Sequence, residues 1–307
     1  KRCLIIINKN AGTSKKINFE KVEKCLGNGY FYTRKTLPDD EISEIKDFEA
    51  VAVCGGDGTL GSVLEKVCKQ PIDLFYFPVG TLNDKAKAQR YEKHKSVCPS
   101  CSDYESSAKP VVYGVCEKVL SDGKYQTVDC DGDVFAYVFA AGSFTPIAKR
   151  RKVKTNRDSA YSHTFGKSSK NTNRTESKRA YKTVNTSTGA NSLCYVFEVA
   201  KVFGFRFNKA FEQDGTSGHL LAVRSPKQTG LLGKIEMFFP FFRAFFIGLK
   251  KEKSKGKIIF EKTYSTHLDL KSDVDFCKDG EKQTVSEGEY KVSFKRSICN
   301  FTVIEKF

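Results

Sequence analysis

The chain has 307 residues, of which 39% are hydrophobic and 25 are Phe, with a formal net charge of +16. That length is long for one core and comfortable for two domains. The most apolar run, Met237 to Leu249, is interrupted by Pro240 and Arg243 and is too short to span a bilayer.

In chain order, Cys3-Leu4-Ile5-Ile6-Ile7 reads as a first strand, too short for a secretory signal. The chain starts at Lys1 rather than Met, so a few residues are expected in front of it. A loop rich in turn formers follows, Asn8-Lys9-Asn10-Ala11-Gly12-Thr13-Ser14, and then helical spacing at Ile17, Val22 and Leu26. Tyr30-Phe31-Tyr32 is a second strand. Ala50 to Cys54 forms a third and runs into Gly55-Gly56-Asp57-Gly58-Thr59. Apolar positions at Leu60, Val63, Leu64, Val67 and Cys68 then mark one face of a helix. Leu74 to Pro78 is a fourth strand, followed by Gly80-Thr81-Leu82-Asn83-Asp84.

This β-α-β-α order implies a Rossmann-like parallel sheet with helices on its faces, where ligands bind beyond the carboxyl ends of the strands. All three loops lie at such ends. Glycines let backbone N–H groups close on a phosphate, and the helix from Leu60 would aim its positive end at the same place. An aspartate beside phosphate is costly unless a cation stands between them. The loops therefore read as a nucleotide-phosphate site with Mg²⁺, suited to phosphoryl transfer. Gly-Gly-Asp-Gly is also a good turn sequence; its place between a buried strand and an amphipathic helix, with a second loop after the next strand, favours function.

After about Asp131 the pattern changes to short strands between polar turns. These are Val134–Phe139, Gly218–Val223, Lys257–Phe260, Thr266–Leu270 and Tyr290–Phe294, with Cys194–Phe203 and Met237–Leu249 as the main helical candidates. The expected architecture is an α/β domain over 1–131, to which 298–307 could return, and a mainly antiparallel β-sandwich domain over 132–297. A cleft between the two is the natural site. A basic polar insertion is expected around 150–192. Between Lys149 and Lys182 there are twelve Lys or Arg against Asp158 and Glu176. Such a segment is a solvated loop or attracts anionic surfaces. Aromatic residues do not interleave its most basic part, which ranks a membrane surface above nucleic acid.

The eleven cysteines lie largely in apolar segments, which argues for reduced thiols and a cytoplasmic protein. His94, Cys98, Cys101 and Cys116 have a spacing that admits Zn²⁺ as well as plain thiols. The aromatic run Phe238 to Phe246, followed by Lys250, Lys251, Lys253 and Lys255, is either a lipid-touching element or a helix buried on the second domain. His163, His219 and His267 show no partner pattern, and no Walker-type loop or hydrolase signature stands out.

Taken together, Asn8-x-x-x-Gly12, Gly55 to Thr59, Gly80 to Asp84, Val128-Asp129, Asp214-Gly215 and Asp279-Gly280-Glu281 resemble the diacylglycerol kinase catalytic domain family, which includes sphingosine kinases and related bacterial lipid kinases. The resemblance implies that Asn8, Lys9, Asn10, Ala11, Gly12, Thr36, Gly55, Gly56, Asp57, Gly58, Thr59, Leu60, Gly61, Thr81 and Asn83 surround ATP. It implies that Asp57, Asp84 and Asp129 hold Mg²⁺, with Asp214 at a second, structural site. Glu281 would be the general base on the lipid hydroxyl, with Asp279 beside it and Asp57 also in the catalytic set. The chain departs from the family in having Lys9 where proline is usual, in a polar insertion over Gly166–Asn191, and in a short segment from Phe207 to Asp214, where the family places strands of the lipid pocket. Asp279-Gly280 by itself is also a good hairpin turn.

The expected activity is thus ATP- and Mg²⁺-dependent phosphorylation of diacylglycerol or a similar neutral lipid, in phospholipid metabolism, by a peripheral protein at an anionic inner membrane surface, with a homodimer allowed. A small-molecule kinase acting on NAD shares the Gly-Gly-Asp-Gly-Thr loop and is the rival enzyme. A catalytically weak, basic membrane- or nucleic-acid-binding module is the rival from another class.

Overall fold

A computed structural model describes residues 1–42, 45–90, 109–120, 125–127, 134–142, 191–197, 217–224, 230–253, 256–270 and 273–305, with isolated positions between 199 and 227. Asp129, Asp214, His94, Cys98, Cys101 and the basic segment over 149–182 lie outside these residues.

The first sheet begins with three buried parallel strands: β1 (Arg2–Asn8), β3 (Ala50–Gly55) and β4 (Asp73–Pro78). β2 (Phe31–Leu37) flanks β1 at the edge. Their continuous Ile, Val, Ala and Phe runs are those of strands covered on both faces. One face receives α1 (Phe19–Leu26), started by the Asn18 side chain, which accepts the Lys21 N–H. The other receives α2 (Asp57–Val67), whose Leu60, Val63, Leu64 and Val67 are fully buried. A short helix, α3 (Asp84–Arg90), follows the loop after β4.

Beyond β4 the sheet becomes antiparallel. β15 (Gly288–Val303) pairs parallel with β4 through Asn300–Val303 and antiparallel with β5 (Lys109–Val119) along most of its length. β12 (Ser265–Leu270), β6 (Tyr125–Thr127) and β7 (Val134–Phe135) complete a nine-stranded sheet of order β2-β1-β3-β4-β15-β5-β6, with β12 on β15 and β7 on β5. The strands expected at Thr266–Leu270 and Tyr290–Phe294 therefore run in this first sheet.

The second sheet has six strands and is antiparallel wherever its register is defined. Its order is β11 (Ile258–Thr263), β10 (Gly218–Arg224), β9 (Asn191–Phe197), β8 (Val138–Gly142), β13 (Val274–Lys278) and β14 (Glu281–Val285). One apolar cluster joins Phe139, Val196 and Phe276 of this sheet to Val112, Val292 and Phe294 of the antiparallel part of the first. Phe139 and Phe276 stack with ring centres 4.2 Å apart.

The helix expected over Cys194–Phe203 is instead strand β9 through Phe197. Cys194 and Val196 face one core, Tyr195 and Phe197 the other, and all four are buried. A strand covered on both faces shows an unbroken apolar run, which periodicity does not distinguish from a buried helix. The second helical expectation shifts towards the N-terminus: α4 spans Gly230–Phe242 and continues as a π-helical turn over Arg243–Ile247.

Candidate active site

Three loops meet at the carboxyl ends of β1, β3 and β4, and Gly56 and Gly80 set how closely. A Cβ on Gly80 would lie 2.4 Å from the Cα of Gly56, so the two backbones are in direct contact and only glycine fits at position 80. The amides of Val79 and Gly80 both donate to the Gly55 carbonyl at 3.0 Å. A Cβ on Gly12 would meet the Thr81 hydroxyl at 2.8 Å, which brings the first loop against the third.

Side chains fix each loop internally. Asn8 donates through Nδ2 to the Thr59 hydroxyl at 2.8 Å and accepts the Asn10 N–H at 2.9 Å, an Asx turn that shapes the start of the loop. Asn83, with φ of 50°, donates to the carbonyls of Pro78 and Gly80 at 3.0 and 2.9 Å and staples its own turn. Thr36 lies at the same end of the sheet opposite Ile7, and its N–H donates to Asp40 at 2.5 Å. Lys9 is exposed and ion-paired with Asp39 at 3.0 Å. Ala11 packs partly against the core beneath the loop. The Leu60 side chain is buried in the core and its N–H is committed to the Gly56 carbonyl. The amides of Gly58 and Thr59 lie in the first turn of α2, where helix geometry gives an N–H no intrahelical acceptor, and are the better anion donors.

Asp57, the first residue of α2, is buried. Its Oδ2 accepts the Asp84 N–H at 2.8 Å and its Oδ1 the Lys85 N–H at 3.1 Å, so it caps α3 from across the loop. Burial pushes the Asp57 carboxyl above its usual range, against the two amides and the nearby Lys87 and Lys85 ammonium groups, which pull it down. The Asp84 side chain is fully buried and accepts the Gly204 N–H at 3.2 Å. Its neighbour Lys85 is 1% exposed and donates from Nζ to the Val112 carbonyl at 2.7 Å.

The second sheet brings the other acids to the same place. Asp279 and Gly280 form the tight turn between β13 and β14, both at positive φ, as a two-residue hairpin of this twist requires. The Asp279 carboxylate then accepts three amides, from Ala136, Tyr137 and Val138 at 2.5, 2.9 and 3.1 Å. Its pKa is pushed up to about 6, first by burial, with the Asp57 charge adding to it and the three amides opposing. Two buried tyrosines report the convergence: Tyr76 and Tyr137 are raised well above the phenol range by burial and, after it, by Asp57, Asp84 and Asp279 together. Glu281 is exposed at the start of β14. A Cβ on Gly58 would lie 3.3 Å from Glu281 Oε1, and one on Gly61 would lie 2.5 Å from Asp279 Oδ2. Glu281 and Asp279 therefore lie against the first turns of α2.

The structure thus brings together the loops carrying Asn8–Gly12, Gly55–Gly61 and Thr81–Asp84 with Asp279 and Glu281. Asp129 and Asp214 are outside the described residues. Lys85, Tyr76 and Tyr137 carry no signal in the sequence that marks them out, although their burial beside the carboxylates makes them part of the site. Among the described residues no three His, Cys, Asp or Glu side chains are grouped to hold a metal ion. No helix among them is long and apolar enough to cross a membrane.

Comparison with known proteins agrees with this geometry. Residues 2–112 match the model of the diacylglycerol kinase catalytic domain. No curated protein sequence matches the chain. Among solved structures, a diacylglycerol kinase from Bacillus anthracis str. Sterne aligns over 100% of this chain and 97% of its own, with a TM-score of 0.56 and 14% identity. A candidate diacylglycerol kinase from the same organism aligns over the same shares with a TM-score of 0.57 and 14% identity. At that identity the likeness is one of fold. Residues 2–112 match the diacylglycerol kinase catalytic domain, and the described residues share the fold of these bacterial structures.

Proposed function

We propose that this chain transfers the terminal phosphoryl group of ATP to the hydroxyl of diacylglycerol or a similar neutral lipid. The observation that carries the reading is the meeting of two glycine loops, at Gly56 and Gly80, beside the start of α2 and within reach of Glu281. Phosphoryl transfer needs a positioned polyphosphate, neutralised charge and one base for the acceptor, more than covalent chemistry. The loops and the helix start supply donors for the phosphates. Glu281 is the exposed carboxylate beside them and the candidate to take the acceptor's proton as its oxygen bonds to phosphorus and ADP leaves. Asp279, saturated by three amides, acts as a positioning residue that holds the Glu281 turn against α2.

The residues fit a magnesium ion. Asp57 and Asp84 are hard oxygen donors, and the Asp57 carboxylate, which takes two amides and a hydrogen bond with Tyr76, still has one of its roughly four lone-pair sites to offer. Mg²⁺ is commonly bound through one or two carboxylates plus substrate phosphates and waters, so a dense ligand cluster is not needed. Asp57 and Asp84, with Asp129 by the resemblance alone, would hold it, and it would supply charge neutralisation at the phosphates.

The test uses purified protein, labelled ATP and Mg²⁺ with mixed micelles of diacylglycerol, and NAD in a parallel reaction. The expected product is phosphatidic acid only. Glu281→Gln is expected to lower kcat by about 10²–10⁴-fold with little change in the KM for ATP, the range for loss of a general base. Phosphorylated NAD in place of phosphatidic acid overturns the lipid assignment. An unchanged kcat for Glu281→Gln removes the base assignment.

A further inference from the structure

The geometry points to α4 and its π-helical extension as a membrane-docking element that lies in the interface of bilayers containing anionic phospholipid. It gives the lipid-kinase reading a place of contact and rests on that reading for its purpose, although docking itself requires no catalysis.

α4 is apolar on two opposite faces, and only one of them is used by the fold. Gly233, Met237, Ala244 and Phe245 are buried against the protein. The other face carries Leu231, Ile235, Phe238, Phe239, Phe242 and Phe246, whose spacing of three and four residues makes one continuous stripe. These are the large apolar side chains a folded protein ordinarily covers, yet Leu231 is 72% exposed, Phe239 70% and Phe246 71%. Phe238, Phe242 and Phe246 form a ladder of stacked rings, with centres 5.9 and 5.3 Å apart, so the ridge is ordered although it faces outward.

Charge selects the occupant. Lys234, Arg243, Lys250, Lys251 and Lys253 are all exposed on this segment and just after it, with Glu252 as the exposed acid among them. Glu236 is engaged by the ion pair with Lys257 and accepts the Lys227 N–H, which leaves little acidic character at the rim. An apolar ridge edged by lysines matches a layer of acyl chains beneath anionic headgroups. The same rim, on a chain of net charge +16, repels a second copy.

The ridge is joined to the phosphoryl-transfer site through one short segment. Phe205 packs edge-on against Phe245 and Phe246, at 5.3 and 5.9 Å between centres. The preceding residue, Gly204, donates its N–H to Asp84. The Leu249 carbonyl accepts the Lys209 N–H at 2.9 Å, fixing the end of the turn to the same segment.

The experiment reads binding without ATP or diacylglycerol. The full chain is sedimented with vesicles of phosphatidylcholine alone and of phosphatidylcholine mixed with phosphatidylglycerol. Binding is expected to the mixed vesicles, to weaken with salt, and to fall at least about tenfold in Phe238→Ser/Phe242→Ser/Phe246→Ser, since the apolar burial is lost. Because the chain has no Trp, Phe239→Trp places one reporter on the ridge, and its emission is expected to shift to the blue when mixed vesicles are added. That reading does not depend on how well the triple variant folds. No binding by the wild type, or no emission shift, overturns the proposal. A triple variant that binds vesicles normally but turns a dimer into a monomer by light scattering overturns it in favour of self-association. Phosphotransfer to a water-soluble short-chain diacylglycerol is measured alongside. Vesicle binding without such transfer supports the docking face and sinks the kinase reading, and transfer without vesicle binding does the reverse.

Discussion

Asp57 holds the N-terminus of α3 through the backbone amide of Asp84, at 2.8 Å, so one acidic residue of the second loop starts the helix that carries the next. The relationship makes the two loops one unit: neither aspartate can move without the other. It also accounts for a buried carboxylate at this position, since two amides and nearby ammonium groups compensate part of its desolvation. Asp57→Ala is expected to leave those amides without their acceptor and to destabilise the fold by about 1–2 kcal/mol, as for loss of a helix cap, with phosphotransfer abolished. Urea unfolding monitored by circular dichroism reads the first effect and the labelled-ATP assay the second. A variant that keeps full activity would show that Asp57 only caps α3.

The Gly56–Gly80 contact supports a graded experiment. A methyl group at position 80 would sit 2.4 Å from the Gly56 Cα, whereas one at position 56 would meet only the Gly80 Cα, at 3.3 Å. Gly80→Ala should therefore push the loops apart and weaken ATP binding strongly. Gly56→Ala should weaken it less. Titration with a fluorescent ATP analogue ranks the two. Equal and small effects would mean that the loops do not act together on the nucleotide.

These two loops are legible in the sequence because each joins an unbroken apolar strand to glycines at its end, a pattern that an ordinary surface turn seldom has. Strand β9 is not legible as a strand, because residues 194–197 are buried on both faces and show no alternation. Asp279-Gly280 reads as a hairpin turn, and it is one. Its second task depends on the amides of Ala136 and Tyr137, between β7 and β8, and of Val138 at the start of β8, 141 to 143 positions earlier in the chain, which no local pattern contains. The exposed ridge on α4 and a core helix have the same sequence pattern; only the packing of one face distinguishes them.

Lys85 is the hardest residue to foresee, since a lysine after Asn-Asp reads as solvated. Its ammonium is buried, hydrogen-bonded to the Val112 carbonyl, and close enough to Asp57 to favour the ionised carboxylate. Lys85→Met keeps the length of the side chain while removing the charge and the donor. The expected loss is about 2–3 kcal/mol of folding stability, the scale of a hydrogen bond to a buried charged group with its acceptor left open. Chemical denaturation checks it. A variant as stable as the wild type would show that the Val112 carbonyl finds another donor, and that the carboxylates do not need this counter-charge.

Asp279 supplies a test of the site's electrostatics that needs no substrate. Its carboxyl is raised to about 6 in the folded protein, chiefly by burial, while in the unfolded chain it titrates near the ordinary carboxylate value. The folded state therefore holds this proton more tightly. The stability that results is fully present below about pH 4 and is lost as pH rises through about 6. Asp279→Asn cannot titrate there, and its amide group meets N–H donors where an acceptor stood, a pH-independent offset of about 1–3 kcal/mol. The diagnostic quantity is thus how the difference in stability between the two proteins varies with pH. Between about pH 4 and 7 the wild type should lose about 2–3 kcal/mol relative to the variant, on the scale of a two-unit shift. Because the Asp57 charge acts on Asp279, the difference reads the Asp279 carboxyl together with its coupling to Asp57. Urea unfolding at a series of pH values supplies the curves. Parallel curves would show that burial does not raise the Asp279 carboxyl above its ordinary value in the folded protein.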